Sequence, residues 1–310
     1  MIAIDGLVKT YGSHRALDGL TMHVAPGRIY GLIGPNGSGK TTCMLILSTL
    51  LRPDGGTARV GGYDVVKRPL EVRRLIGYMP DFFGVYDGLK ADEYLEFFAA
   101  AHGVPAGQRP EVARKLLELV NLEGKAGSYV DNLSRGMKQR LALARCLVHD
   151  PQVLILDEPA SGLDPRARAE VKEIIRHLGK LNKTVLISSH ILPELAEICD
   201  DVGILEEGRL VAAGPVAEIT GARTGPRELY INIGPGVGEA EEIIQSYAGV
   251  LSLTRQGAEL KVLFSGEREA QAGLLASLIN KGIPVLEFYE HRGNLEDAFM
   301  AVTGEVRHDG

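Results

Sequence analysis

The sequence predicts an α/β protein in two parts. The larger combines a β-rich N-terminal layer, a mixed or parallel core sheet and a helical subdomain; the smaller is α+β. Three observations carry this prediction. An apolar strand pattern at Ile29–Ile33 runs into a glycine-rich loop and then into a helix pattern from Thr42 to Leu51. Two short apolar runs without alternation, Val153–Leu156 and Thr184–Ile187, flank a helical stretch over 165–180. Such runs suit parallel strands buried on both faces. Beyond residue 227 the periodicities follow the order strand, helix, strand, strand, helix, strand.

Taken in chain order, the opening is β-rich, with strand patterns at Ile2–Leu7, Thr21–Val24, Ile29–Ile33 and Thr57–Val60 among glycine-rich turns. From about 88 to 150 the spacing turns helical, as in Tyr94, Leu95, Phe97, Phe98 and Ala101, and in Leu116, Leu117, Leu119 and Val120. The segment Gly-Ala-Arg-Thr-Gly-Pro at 221–226 reads as a linker between a domain at 1–220 and one at 227–310. In the second, strands at 229–233, 250–254, 260–264 and 284–289 and helices at 238–247 and 268–281 give βαββαβ, the ferredoxin-like order. A last helix is expected over 294–303, with Asn294 as N-cap and Asp297 at the third helical position. This part lacks a catalytic constellation.

Composition excludes several classes. Hydrophobic residues at 45% and charged residues at 24% match globular averages and argue against disorder. A formal net charge of -6 gives no basic footprint for nucleic acid. Cys43, Cys146 and Cys199 are far apart, without zinc or disulfide spacing, and read as reduced, packed thiols. The first residues show no basic region followed by an apolar stretch, so no secretory signal is expected. No window approaches the roughly 18 to 20 apolar residues that span a bilayer. Work at a membrane would therefore need another polypeptide for the span.

The chemistry is concentrated in two motifs. Gly34-Pro35-Asn36-Gly37-Ser38-Gly39-Lys40-Thr41 fits G-x-x-x-x-G-K-[ST], and Thr42 continues it into the helix. Glycines let successive backbone N–H groups turn toward phosphate oxygens. Lys40 reaches the β and γ phosphates, a catalytic as well as a binding task, and the Thr41 hydroxyl ligates Mg²⁺. Val153–Leu156 ends in Asp157-Glu158-Pro159. An acid at the carboxyl end of a parallel strand lies where such sheets bind ligands, so Asp157 holds Mg²⁺ through its water shell. Glu158 is then free to orient or deprotonate the attacking water. Alone, the two acids would also suit a helix N-terminus.

With both motifs in this order, the chain resembles the ATP-binding-cassette (ABC) ATPases, a P-loop NTPase family, over residues 1 to about 220. Leu133-Ser134-Arg135-Gly136-Met137 stands where the family has its LSGGQ signature, with Arg and Met as departures. Ser134 caps the helix expected over 135–148, and the N–H groups around Gly136 and the helix dipole then face a γ phosphate. The resemblance puts that phosphate on a second subunit, implying a head-to-tail pair, homodimeric or with a related cassette, around two ATP. Arg135 adds charge there or is simply solvated. Tyr11 matches the aromatic that stacks on adenine, although a packed tyrosine fits equally. Ser161-Gly162-Leu163-Asp164 resembles the D-loop, and His190 the switch histidine at the γ phosphate. Where the family carries glutamine, this chain has Asp81, which keeps negative charge but loses the amide donor. Metal ligation and a part in coupling are both open to it. The aromatic run Phe82-Phe83-Gly84-Val85-Tyr86 follows, either receiving a coupling helix or packing the helical insertion.

The resemblance implies an Mg²⁺-dependent ATPase that powers transport, in the direction of export, through a separate transmembrane permease subunit. It would sit at the cytoplasmic face of the cell membrane. The rival is a soluble cassette acting on nucleic acid or ribosomes. Against it stand the single cassette, the acidic balance, and the stretch 82–132, too short for a long coiled-coil insertion. The 227–310 part resembles the tail domain of exporter cassettes.

Overall fold

The computed structural model of the chain describes residues 1–81, 88–189, 191–220, 227–291, 295 and 299–300. The aromatic run 82–86, His190, the segment 221–226 and most of the helix expected over 294–303, including Asn294 and Asp297, lie outside the described residues. The chain divides into two compact units, one spanning Met1–Val216 and the other Ala217–Ala301.

The first unit opens with a hairpin of β1 (Ile2–Tyr11) and β2 (His14–Val24), paired antiparallel. Both strands outrun the patterns seen in the sequence. Register shifts between Ile4 and Leu7, Leu7 and Val8, and Lys9 and Thr10 break the alternation that marks a regular strand. β3 (Ile29–Ile33), buried at every residue, leads through the loop at 34–39 into α1 (Lys40–Leu47). The helix begins two residues earlier than its apolar pattern, because Lys40 and Thr41 form its first turn while serving the loop. β4 (Gly55–Val60) and β5 (Tyr63–Asp64) complete an antiparallel sheet in the order β2-β1-β4-β5.

α2 (Pro69–Leu75) leads into β6 (Ile76–Met79), and the helical insertion follows as α3 (Ala91–Ala101), α4 (Arg109–Leu119) and α5 (Arg135–Cys146). Then come β7 (Val153–Leu156), α6 (Pro165–Lys180), β8 (Thr184–Ser189), α7 (Leu192–Ile198), β9 (Asp201–Glu206) and β10 (Arg209–Pro215). The second sheet has the order β10-β9-β3-β8-β7-β6, parallel throughout except for the β10 edge. β7 and β8 are buried at every position, as their unbroken apolar runs require. Parallel register brings the carboxyl ends of β3, β6, β7 and β8 to one edge, where open α/β sheets bind ligands.

α8 (Val216–Ile219) is a single short turn. The second unit then runs β11 (Arg227–Ile233), α9 (Val237–Ser246), β12 (Val250–Gln256), β13 (Glu259–Phe264), α10 (Arg268–Asn280) and β14 (Val285–His291). Its sheet is antiparallel, in the order β12-β13-β11-β14. Leu229, Ile231, Leu260, Val262 and Phe264 alternate inward and pack on Ala240 and Ile244 of α9 and on Leu274 and Leu278 of α10. These side chains give the unit its own core.

Candidate functional site

A cavity of about 440 Å³ lies at the carboxyl edge of the parallel sheet, lined by Tyr11, His14, Ala16, Asn36, Gly37, Gly39, Lys40, Thr41, Thr42, Asp81, Glu158 and Ser161. The loop at 34–39 forms its floor. Gly39 takes φ +108°, a conformation L side chains rarely adopt, and it directly precedes α1. A β-carbon at Gly34 would strike the Leu205 carbonyl, and one at Gly39 the Ala16 carbonyl. At Gly34 and Gly39 the backbone therefore passes against β9 and β2 with no room for a side chain, and Gly208 N–H closes on the Ser38 carbonyl at 3.0 Å.

Lys40 is almost wholly buried and donates from Nζ to the carbonyls of Gly34 at 2.7 Å and Pro35 at 3.0 Å. Burial pushes this lysine below its usual range, while Glu158 and Asp157 pull it back up. Its ammonium is held over the loop by the loop's own carbonyls. The buried Ser38 hydroxyl has no hydrogen-bond partner among the described residues.

Opposite the loop, β7 and β8 end in a three-residue network. Ser188 Oγ donates to Asp157 Oδ1 at 2.6 Å and accepts the Glu158 N–H at 2.9 Å. Asp157 is buried, and its Oδ2 has no partner among the described residues. Glu158 sits at φ +49°, an uncommon backbone for a non-glycine residue, and begins a turn closed by Ser161 N–H on its carbonyl at 3.0 Å. Asp81, exposed, follows the end of β6 and reaches the same cavity.

The cavity gathers every sequence-predicted residue of the loop except Gly34, Pro35 and Ser38, together with Tyr11, Asp81 and Glu158. Tyr11 is 47% exposed, too open for a packed core tyrosine, with Lys9 Nζ 5.7 Å from its ring centroid. Four predicted residues beyond the loop are not in the cavity lining: Asp157, buried directly before Glu158, and Ser134, Gly136 and Asp164. Ser134 caps α5, its Oγ accepting from Met137 N–H at 3.3 Å, and Gly136 follows in that helix's first turn. Asp164 caps α6, its Oδ1 accepting from the N–H groups of Arg166 and Ala167, both at 3.0 Å. That carboxylate is thus occupied in holding a helix end.

Sequence reasoning passed over His14 and Ala16, which line the cavity, and Ser188, which joins the two acids. The signal for Ser188 was available. If the two apolar runs are adjacent parallel strands with aligned ends, the residue after Ile187 falls beside Asp157. Arg135 is also resolved, since its Nη2 donates to the Ser161 carbonyl at 3.3 Å.

Residues 17–161 match the family described as ABC transporter. The chain is 35% identical over 307 residues to the daunorubicin resistance ATP-binding protein DrrA3 of Streptomyces coeruleorubidus, covering 99% of this chain and 96% of that protein. It is 36% identical over 308 residues to the Nod factor export ATP-binding protein I of Paraburkholderia xenovorans, covering 99% and 98%. A solved structure of the ATP-binding subunit of an ABC transporter is similar at 30% identity and a TM-score of 0.65, over 72% of this chain and 92% of that one.

Proposed function

This chain belongs to the ATP-binding subunits of ABC transporters, ATPases that power transport, and from that premise we propose how its residues divide the work of ATP hydrolysis. The observation that carries the reading is the meeting, in one cavity, of the phosphate-type loop with Glu158, whose N–H is held by the same Ser188 hydroxyl that donates to the buried Asp157. The N–H groups of 34–42 and the Lys40 ammonium hold the β and γ phosphates, and Tyr11 takes the adenine face. Glu158 accepts the proton of the attacking water, and His190 contacts the γ phosphate.

The residues also fit Mg²⁺. Asp157 keeps a buried carboxylate oxygen without a partner among the described residues, and Thr41 lines the cavity. Among the described residues there is no cluster of three or more His, Cys, Asp or Glu side chains able to hold a metal alone. An ion here would thus depend on phosphate oxygens, with Thr41, Asp157 and Asp81 around it. Such an ion supplies neutralisation of phosphate charge in the transition state.

Ser134 and Gly136 serve ATP on a second subunit, in a head-to-tail pair that is homodimeric or formed with a related cassette. Their absence from this chain's own cavity lining supports that reading, as does the Ser134-capped end of α5. Asp164, which caps α6, belongs with Ser161-Gly162-Leu163 to the segment that meets nucleotide at the interface with the second subunit. The pair drives export through a transmembrane permease subunit, as the names of the drug-resistance and Nod-factor relatives suggest for theirs. Among the described residues no helix is long and apolar enough to cross a membrane, which fits a subunit peripheral to the cytoplasmic face. The cassette spans 1–220 and the linker 221–226. The region 227–310 is an accessory domain of ferredoxin-like order.

Glu158→Gln tests the assignment. Turnover should fall at least about 100-fold, and ATP should convert the protein to a stable dimer in size-exclusion chromatography. Rapid turnover in this variant would remove Glu158 from the role of base.

A further inference from the structure

The first turn of α5 departs from what helix electrostatics favour. Arg135 occupies the first helical position, at the positive end of the dipole, and no acidic residue shares that turn. Its guanidinium is instead engaged with the segment after Glu158. Arg135 Nη2 donates to the Ser161 carbonyl at 3.3 Å, and the guanidinium lies so flat on Gly162 that a β-carbon there would strike it. One helical turn later, Gln139 Nε2 donates to the buried Pro159 carbonyl at 2.6 Å. Between them, a β-carbon at Gly136 would approach Ala167 Cβ to 2.8 Å, so the starts of α5 and α6 abut.

These contacts converge on the turn that begins with Glu158. That residue holds a left-handed backbone at φ +49°, which persists only where neighbours over-determine it. Ser188 grips its N–H and Ser161 N–H grips its carbonyl. The next carbonyls along the turn, those of Pro159 and Ser161, are gripped from α5. Gln139 is buried and fixed, whereas Arg135 is exposed, so it is the member of the pair whose loss leaves the core untouched.

We propose that Arg135 is a positioning residue for Glu158, tying the first turn of α5 to the 158–161 turn so that the helix end bearing Ser134 and the catalytic acid move as one body. The proposal rests on the reading of Glu158 as base. Under it, displacement of α5 is transmitted to the acid through two side-chain hydrogen bonds within one chain.

A double-mutant cycle on the full-length chain tests this, with Mg²⁺-ATP turnover measured under steady-state and single-turnover conditions. Arg135→Ala should lower kcat about tenfold while KM for ATP stays within about twofold, since the phosphate loop is unchanged. In the Glu158→Gln background the same substitution should lower the residual turnover less than about twofold, because the group it positions is already disabled. An equal loss in both backgrounds would overturn the proposal in favour of a general structural role. A defect confined to KM would also overturn it, assigning Arg135 to phosphate charge instead. Parent-like turnover in Glu158→Gln alone would sink the assignment of Glu158, and the proposal with it.

Discussion

Replacing Ser188 by alanine removes one oxygen from the centre of the site. In the native protein that hydroxyl is fully buried, donates to Asp157 Oδ1 at 2.6 Å and accepts the Glu158 N–H at 2.9 Å. Ser188→Ala leaves a buried carboxylate oxygen and a backbone N–H without this partner. Each buried unsatisfied group costs about 1–3 kcal/mol, and a charged one lies toward the upper end. Asp157 Oδ2 already lacks a partner among the described residues, so the carboxylate has no second protein hydrogen bond to fall back on. Allowing for partial relaxation, the first unit should lose about 3 kcal/mol, a large share of a domain's typical 5–15 kcal/mol. Urea unfolding followed by far-ultraviolet circular dichroism measures this, as a lower midpoint at unchanged slope. ATP turnover should also fall about tenfold, since the Glu158 backbone loses the contact that holds its strained geometry. A stability loss below about 0.5 kcal/mol, together with unchanged turnover, would refute the claim that Ser188 organises the two acids.

Gly34→Ala forces a β-carbon against the Leu205 carbonyl and the Ser38 side chain, so the loop must shift. Titration with a fluorescent ATP analogue should show affinity reduced more than about tenfold, and parent-like affinity would mean the loop tolerates displacement. His102 and His149 stack with ring centroids 3.9 Å apart, and burial holds both below the usual imidazole value of 6.5. His102 adds to the depression of His149. As pH falls below about 6.5 the unfolded chain binds protons that the folded one does not, so stability should decline from there down to the depressed folded values. Thermal melts across that window should show the decline, and His102→Phe, which keeps a ring in the stack, should flatten it. Asp81→Gln should alter the ratio of transport to ATP hydrolysed in the assembled transporter, because glutamine restores an amide donor. An unchanged ratio would mean that the position accepts either residue.

The phosphate loop and the two acids after Leu156 are legible in the sequence because their chemistry depends on contiguous residues. A loop that must expose successive N–H groups and end in Lys-Thr writes its requirement within eight positions, Gly34 to Thr41. An unbroken apolar run of four residues, Val153–Leu156, likewise announces a strand buried on both faces. β6, β9 and β10 left no comparable mark. β6 is only four residues long and contains a glycine, while β10 is a half-exposed edge whose alternation resembles many surface segments. The long β1 and β2 were shortened in the reading by bulges that interrupt period two.

By itself the sequence determined the α/β class, the residues of the phosphate loop, the positions of Asp157 and Glu158, and Ser134 as a helix cap, because each is decided by neighbours within a few residues. Tertiary structure alone decided that Asp164 lies outside the cavity lining, that Ser188 joins the acids and that Arg135 reaches the Ser161 carbonyl. Ser188 meets Asp157 only because β7 and β8 pair with Leu156 beside Ile187, and Arg135 meets Ser161 only because the starts of α5 and α6 abut. Register and helix packing come from burial across the whole unit, and no local pattern carries them.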